Sequence, residues 1–154
     1  MRIFVVLLSL IMMATTAAAT DVKTYTVSGT IDDVAFEVES AIVNRGLVID
    51  MKGDVAGMLK RTGEDVGAAK DVYAGAKYFA FCSAVHSRKM MEADAANMGY
   101  CPYIVFVYEA KAAPGKIVVG YRRLSGGGTS DAGKAALNDV DKWLDGIVRE
   151  VAGG

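Results

Sequence analysis

Histidine and tryptophan occur once each in the 154-residue chain, and cysteine and proline twice each. With one histidine, no Ser-His-Asp or Cys-His-Asn order finds independent support. With two cysteines, the doubled C-x-x-C pattern that marks a zinc site cannot be built. Neither sign of charge dominates, since 17 Lys and Arg face 18 Asp and Glu for a net charge of −1. There is no basic stripe of the kind that binds nucleic acid or anionic lipid. Internal repeats, low-complexity segments and interdomain linkers are missing too, and long apolar runs are missing everywhere except at the start.

That start, MRIFVVLLSLIMMATTAAAT, has a positive residue at Arg2, an apolar run from Ile3 to Ala14, and Ala17-Ala18-Ala19 before Thr20. These are the parts of a secretory signal peptide. The run fades after roughly a dozen positions, whereas a membrane helix needs about 20. The expectation is cleavage after Ala19, a periplasmic address, and no membrane attachment once residues 1–19 are gone. The first cysteine is Cys82, so no cysteine near that boundary invites a lipid anchor. Residues 20–154 are then of a size for a single domain with one continuous core. Without Arg2 the balance is 16 basic residues against 18 acidic.

Lys23 to Ile31 alternates in the period-two manner of a half-buried strand. Asp32 and Asp33 offer an N-cap to a helix with Val34, Val38, Ala41 and Ile42 on one stripe, ending at Gly46 after Arg45. Leu47 to Met51 suits a second strand. Asp54 can cap a second helix carrying Val55, Met58, Leu59 and Val66. Tyr78 to Ser83 reads as a strand ending at Cys82, and Ser83 to Asn97 as a third helix. Tyr103 to Glu109 and Lys116 to Arg122 predict a hairpin turned by Pro114-Gly115, with Pro102 tolerated at a strand start. A glycine-rich loop, Ser125 to Thr129, precedes a last helix with Ala136, Val140, Trp143, Leu144, Ile147, Val148 and Val151 on one stripe. Its other face mixes both charge signs, unlike a basic membrane-surface helix. The order predicts an α+β fold, an antiparallel or mixed sheet with helices packed on one face.

Phe81-Cys82-Ser83, Met90-Met91-Glu92-Ala93-Asp94, Cys101-Pro102-Tyr103 and Val107-Tyr108 resemble the bacterial domain of unknown function 302 family. The match is with its branch that pairs an F-C-S segment with a later C-P-[YF] segment. MLKRTG at Met58 to Gly63 and the strand ending Tyr121-Arg122-Arg123 are similar to it as well. The resemblance spans the chain after the leader and implies a TATA-box-binding-protein-like fold, a curved antiparallel sheet with helices on one side. It implies no reaction. Ala95 stands where the pattern leads one to expect a proline, which bears on where the third helix ends.

Phe81 to Tyr103 holds both cysteines and the histidine, and supports several readings. An even cysteine count in an oxidising compartment favours a disulfide. Cys82 closes one strand and Cys101 opens the next, so antiparallel pairing would bring them within bridging reach. Alternatively, Cys82, His86 and Met90 lie at i, i+4 and i+8, and with Cys101 form a soft ligand set suited to Cu(I) or, more distantly, to haem iron. A third reading makes the pair a thiol–disulfide exchanger with Cys82 at a helix start. A Cys82–His86 dyad is a further, weaker pattern. Gly126-Gly127-Gly128-Thr129-Ser130 leads into a helix and could cradle an anion, although no phosphate-loop lysine follows. Asp32 with Asp33, and Glu92 with Asp94, are acidic pairs for which capping is the simpler role at the first.

The composite expectation is a non-catalytic, exported binding or accessory module with a Cys82–Cys101 disulfide. Its partner is an unidentified small ligand or protein, not nucleic acid, and it needs no cofactor. The alternatives are copper or haem binding and thiol exchange.

Overall fold

The computed structural model describes residues 21–68 and 70–154. The expected leader and its cleavage site after Ala19 lie outside the described residues. The elements follow as β1 (Val22–Val27), α1 (Ile31–Val43), β2 (Ile49–Asp54), α2 (Val55–Thr62), β3 (Tyr73–Phe81), α3 (Ala84–Ala93), a 3-10 segment (Ala95–Tyr100), β4 (Tyr103–Ala110), β5 (Ile117–Arg122) and α4 (Asp131–Val151). The strands form one sheet in the order β1-β5-β4-β3-β2, every neighbouring pair antiparallel. The fold is therefore α+β with an open antiparallel sheet, as the element order predicts.

Strand alternation divides the sheet into two unlike faces. Tyr103, Val105 and Val107 of β4 are buried beside Ile117, Val119 and Tyr121 of β5 and Phe79 and Phe81 of β3. The register agrees, with Phe79 opposite Val105 and Val107 opposite Val119. On this inner face pack Val34, Val38 and Ile42 of α1, Met90 of α3, and Leu137, Val140, Leu144, Ile147 and Val148 of α4. Each such aliphatic side chain contributes about 1.5–3 kcal/mol of gross transfer energy. The inner stripe of α4 is thus the largest helical contribution to the core.

The residues in the other phase, Tyr78, Ile104, Phe106 and Tyr108, point outward and are half-buried. Two outward positions are glycines because a ring lies over them. A Cβ at Gly53 would run into the Tyr78 ring, and one at Gly120 would come within 2.8 Å of Phe106 and 2.5 Å of the Lys23 carbonyl. Phe106 and Tyr108 stack with centroids 6.2 Å apart. At the edge, Tyr25 donates to Asp145 at 2.7 Å and Lys23 pairs with the same carboxylate at 2.8 Å, tying β1 to α4.

Several local expectations are corrected. Thr30, not Asp32 or Asp33, caps α1: its Oγ1 accepts from the Asp33 N–H while its hydroxyl donates to the Asp33 carboxylate. β1 stops at Val27 and Gly29 takes φ +123°, which a residue with a side chain avoids. β2 begins two residues later than expected, at Ile49, because pairing with β3 starts opposite Phe81. Asp54 caps α2 by accepting from Gly57 N–H at 2.8 Å. That helix ends at Thr62 without Val66 and buries no residue fully. It runs beside the start of β3, where β2 has ended opposite Lys77.

The hairpin turns as read: Lys116 N–H bonds the Ala113 carbonyl at 3.2 Å, with Gly115 at φ +78°. Proline followed by a positive-φ glycine is the chemistry of a type II turn.

Candidate functional site

Phe81 of β3 pairs with Tyr103 of β4. The chain just beyond each carries the cysteines, and Cys82 and Cys101 form a disulfide with Cα atoms 6.4 Å apart. Cys82 lies in the same outward phase as Tyr78 and Ala80, so the bridge sits at the end of the outer face. The peptide bond from Cys101 to Pro102 is cis.

Around the bridge, Asp50, Met51, Tyr78, Ala80, Met91, Met98, Pro102 and Ile104 line an open groove of about 720 Å³ together with both cysteines. Apart from Asp50 and the Tyr78 hydroxyl, which donates to Met51 Sδ at 3.1 Å, its side chains are apolar or sulfur-bearing. Met51 and Met98 are 58% and 69% exposed, unusual for methionine. This volume lies within the range of small-molecule sites, roughly 300–1,000 Å³.

The four residues of the soft ligand set have three different settings. Ser83 caps α3 by accepting from the His86 N–H at 3.3 Å, so Cys82 lies outside the helix and the i, i+4, i+8 stripe is broken at its first member. The His86 ring stacks on Trp143 with centroids 4.1 Å apart and planes at 27°. Burial, reinforced by the charge of Lys89, pushes its pKa below 6.5 against the pull of Asp139. Met90 is buried in the core, within 3.7 Å of the Tyr103 hydroxyl. The bridge offers no thiolate, and ligation by Cys82 and Cys101 requires its reduction. Among the described residues no three His, Cys, Asp or Glu side chains gather as a metal group.

Two hydroxyls lie on the Cys101 side of the bridge. Ser87 Oγ lies 3.7 Å from Cys101 Sγ and 3.0 Å from the Tyr103 hydroxyl. A disulfide sulfur carries no hydrogen and the Tyr103 hydroxyl donates to Met90 Sδ, so the one Ser87 proton is shared between the Tyr103 oxygen and Cys101 Sγ. Burial pushes the Tyr103 pKa up, opposed by the Ser87 hydroxyl, whose donation to the phenol oxygen favours the charged form.

The glycine-rich loop does hold an anion, and it is the chain's own. Asp94 Oδ2 accepts from Thr129 N–H at 2.8 Å, from the Thr129 hydroxyl, and from Ser130 N–H at 3.2 Å, while Oδ1 accepts from Ala96 N–H at 3.0 Å. These bonds, the Thr129 hydroxyl first, hold its pKa below 3.8. They also explain why the expected third helix divides. Asp94 leaves helical geometry at φ −161°, and Ala95–Tyr100 continues as the 3-10 segment without a proline. Of the other acidic residues, Asp32 pairs with Lys77 and Glu92 with Arg88.

Sequence reasoning named the sulfurs of the bridge but not Met51, Met91 and Met98 beside them. Met91 had a signal, since it follows the core residue Met90 and one residue turns a helix by about 100°. Met98 in the 3-10 segment had none.

A model of the domain of unknown function DUF302 matches residues 23–151. The chain belongs to the DUF302 family. The same fold occurs in the crystal structure of an uncharacterized conserved DUF302 protein from Bacillus stearothermophilus. That structure is 15% identical, with a TM-score of 0.71 over 87% of this chain and 99% of the other. No curated protein matches the chain. In this DUF302 chain no helix among the described residues is long and apolar enough to cross a membrane.

Proposed function

We infer that this DUF302 protein is an exported, non-catalytic binding module that takes a small apolar molecule in the groove beside the Cys82–Cys101 bridge. The groove carries the reading: about 720 Å³ of open space lined by Met51, Met91, Met98, Pro102 and Ile104, with Asp50 as its one charged residue. Methionine side chains adapt to ligands of differing shape. The bridge joins β3 to β4 at the groove's end and limits how far that wall can move. Export is supported by the composition of residues 1–19 and by the disulfide, which persists in oxidising compartments.

The test is titration of the oxidised mature chain with N-phenylnaphthylamine, a neutral fluorophore that brightens in apolar surroundings. Saturable binding of roughly micromolar strength that Ile104→Lys and Met98→Lys each weaken is the expected result. Binding that neither substitution changes puts the ligand elsewhere and removes the reading.

A further inference from the structure

The bridge lines the groove instead of being sealed behind it, and the Ser87 hydroxyl lies within reach of one of its two sulfurs. From that asymmetry we propose that the groove seats an apolar thiol and that Cys82–Cys101 exchanges with it, the incoming sulfur bonding to Cys82 and Cys101 departing. The choice of an apolar thiol rests on the groove reading above. The direction of attack does not.

In the first step the ligand thiolate attacks Cys82 Sγ. A ligand–Cys82 disulfide forms, the Cys82–Cys101 bond breaks, and its electron pair goes to Cys101 Sγ. Ser87 Oγ, 3.7 Å from that sulfur, then donates to a thiolate in place of a neutral acceptor. The Tyr103 oxygen, 3.0 Å from Ser87 Oγ, keeps that hydroxyl beside the sulfur. Exchange is faster when the leaving thiolate is the more stable one. No comparable bond to Cys82 Sγ, from a side chain or from the first turn of α3, is present among the described residues, so the two directions of attack are unequal.

In the second step another thiolate attacks the ligand sulfur of the mixed disulfide. A disulfide between the two external thiols forms, and Cys82 leaves as a thiolate. Two thiols are oxidised to one disulfide while the protein bridge is reduced to two thiols. Each thiol loses its proton to solvent before it attacks.

The experiment exposes oxidised mature chain to benzyl mercaptan or to 2-mercaptoethanol at equal thiolate concentration. It is quenched with N-ethylmaleimide, and the adducts are located by peptide mass mapping. Benzyl mercaptan should open the bridge roughly tenfold faster, with the mixed disulfide on Cys82 and the maleimide on Cys101. Ser87→Ala should slow opening by both thiols or shift the adduct to Cys101. Met98→Gln, at an exposed position in the groove and without added charge, should reduce the advantage of benzyl mercaptan. An adduct on Cys101 in the unaltered chain, a Ser87→Ala chain with unchanged rate and site, or a bridge inert to both thiols overturns the exchange. Equal rates for the two thiols overturn the apolar substrate class. Opening at Cys82 that depends on Ser87, in a chain that fails to bind N-phenylnaphthylamine, sinks the binding reading alone.

Discussion

His86 ties the fold to pH because its ring lies on Trp143 and resists protonation. With a folded pKa below the ordinary 6.5, the unfolded chain takes up a proton at pH values where the folded chain does not. Stability contributed by neutral His86 is therefore complete above about pH 6.5 and is lost as pH falls toward the folded pKa. Denaturation midpoints measured across that window should decline for the unaltered chain and stay flat for His86→Phe, which keeps a stacked ring and cannot titrate. Asp94 has a dependence of the same sign, at lower pH. Its carboxylate is held below 3.8 by the Thr129, Ala96 and Ser130 donors, so its contribution is present at neutral pH and lost on acidification through the folded pKa. Thermal unfolding should show Asp94→Asn below the unaltered chain at about pH 7, with the two curves converging as pH falls through the folded pKa of Asp94. A gap that persists in acid would mean that charge is not what the loop recognises.

At the scale of elements, the sheet is least tolerant where backbone and ring close over a missing side chain. Gly120→Val should destabilise by about 1–3 kcal/mol, seen as a lower denaturant midpoint at unchanged slope, because the Lys23 carbonyl cannot yield as a flexible side chain could. Conversely, Leu144→Ala should cost about 2–5 kcal/mol by leaving a cavity under α4. The two cases mark what could be read from the chain alone. Leu144 belongs to a stripe repeated over about four turns, which periodicity exposes, and so α4, the β4–β5 hairpin and the α+β class were legible. Gly120 depends on a ring from a neighbouring strand, and Asp94 on a loop 35 residues away. Such partners are set by tertiary packing and leave no periodic trace. The same holds for the groove: Cys82 and Cys101 could be paired from strand ends, but the methionines around them come from β2, α3 and the 3-10 segment, which only the folded chain brings together.

For the whole molecule, the disulfide links the last residues before α3 to the first before β4 across a separation of 19 residues. In the loop-entropy account, replacing both cysteines by serine should cost about 3 kcal/mol, measurable as a shift in the urea midpoint. Thiol titration under denaturant of protein isolated from its native compartment should find none free, and two free thiols there would defeat the exported, bridged state. One further consequence belongs to the sheet, whose two surfaces face different surroundings. In a randomised library selected only for folded protein, Tyr103, Val105 and Val107 should refuse polar replacements. Ile104, Phe106 and Tyr108, interleaved with them, should accept many. A single strand would then read as a comb, its teeth retained for folding and its gaps open to evolutionary change.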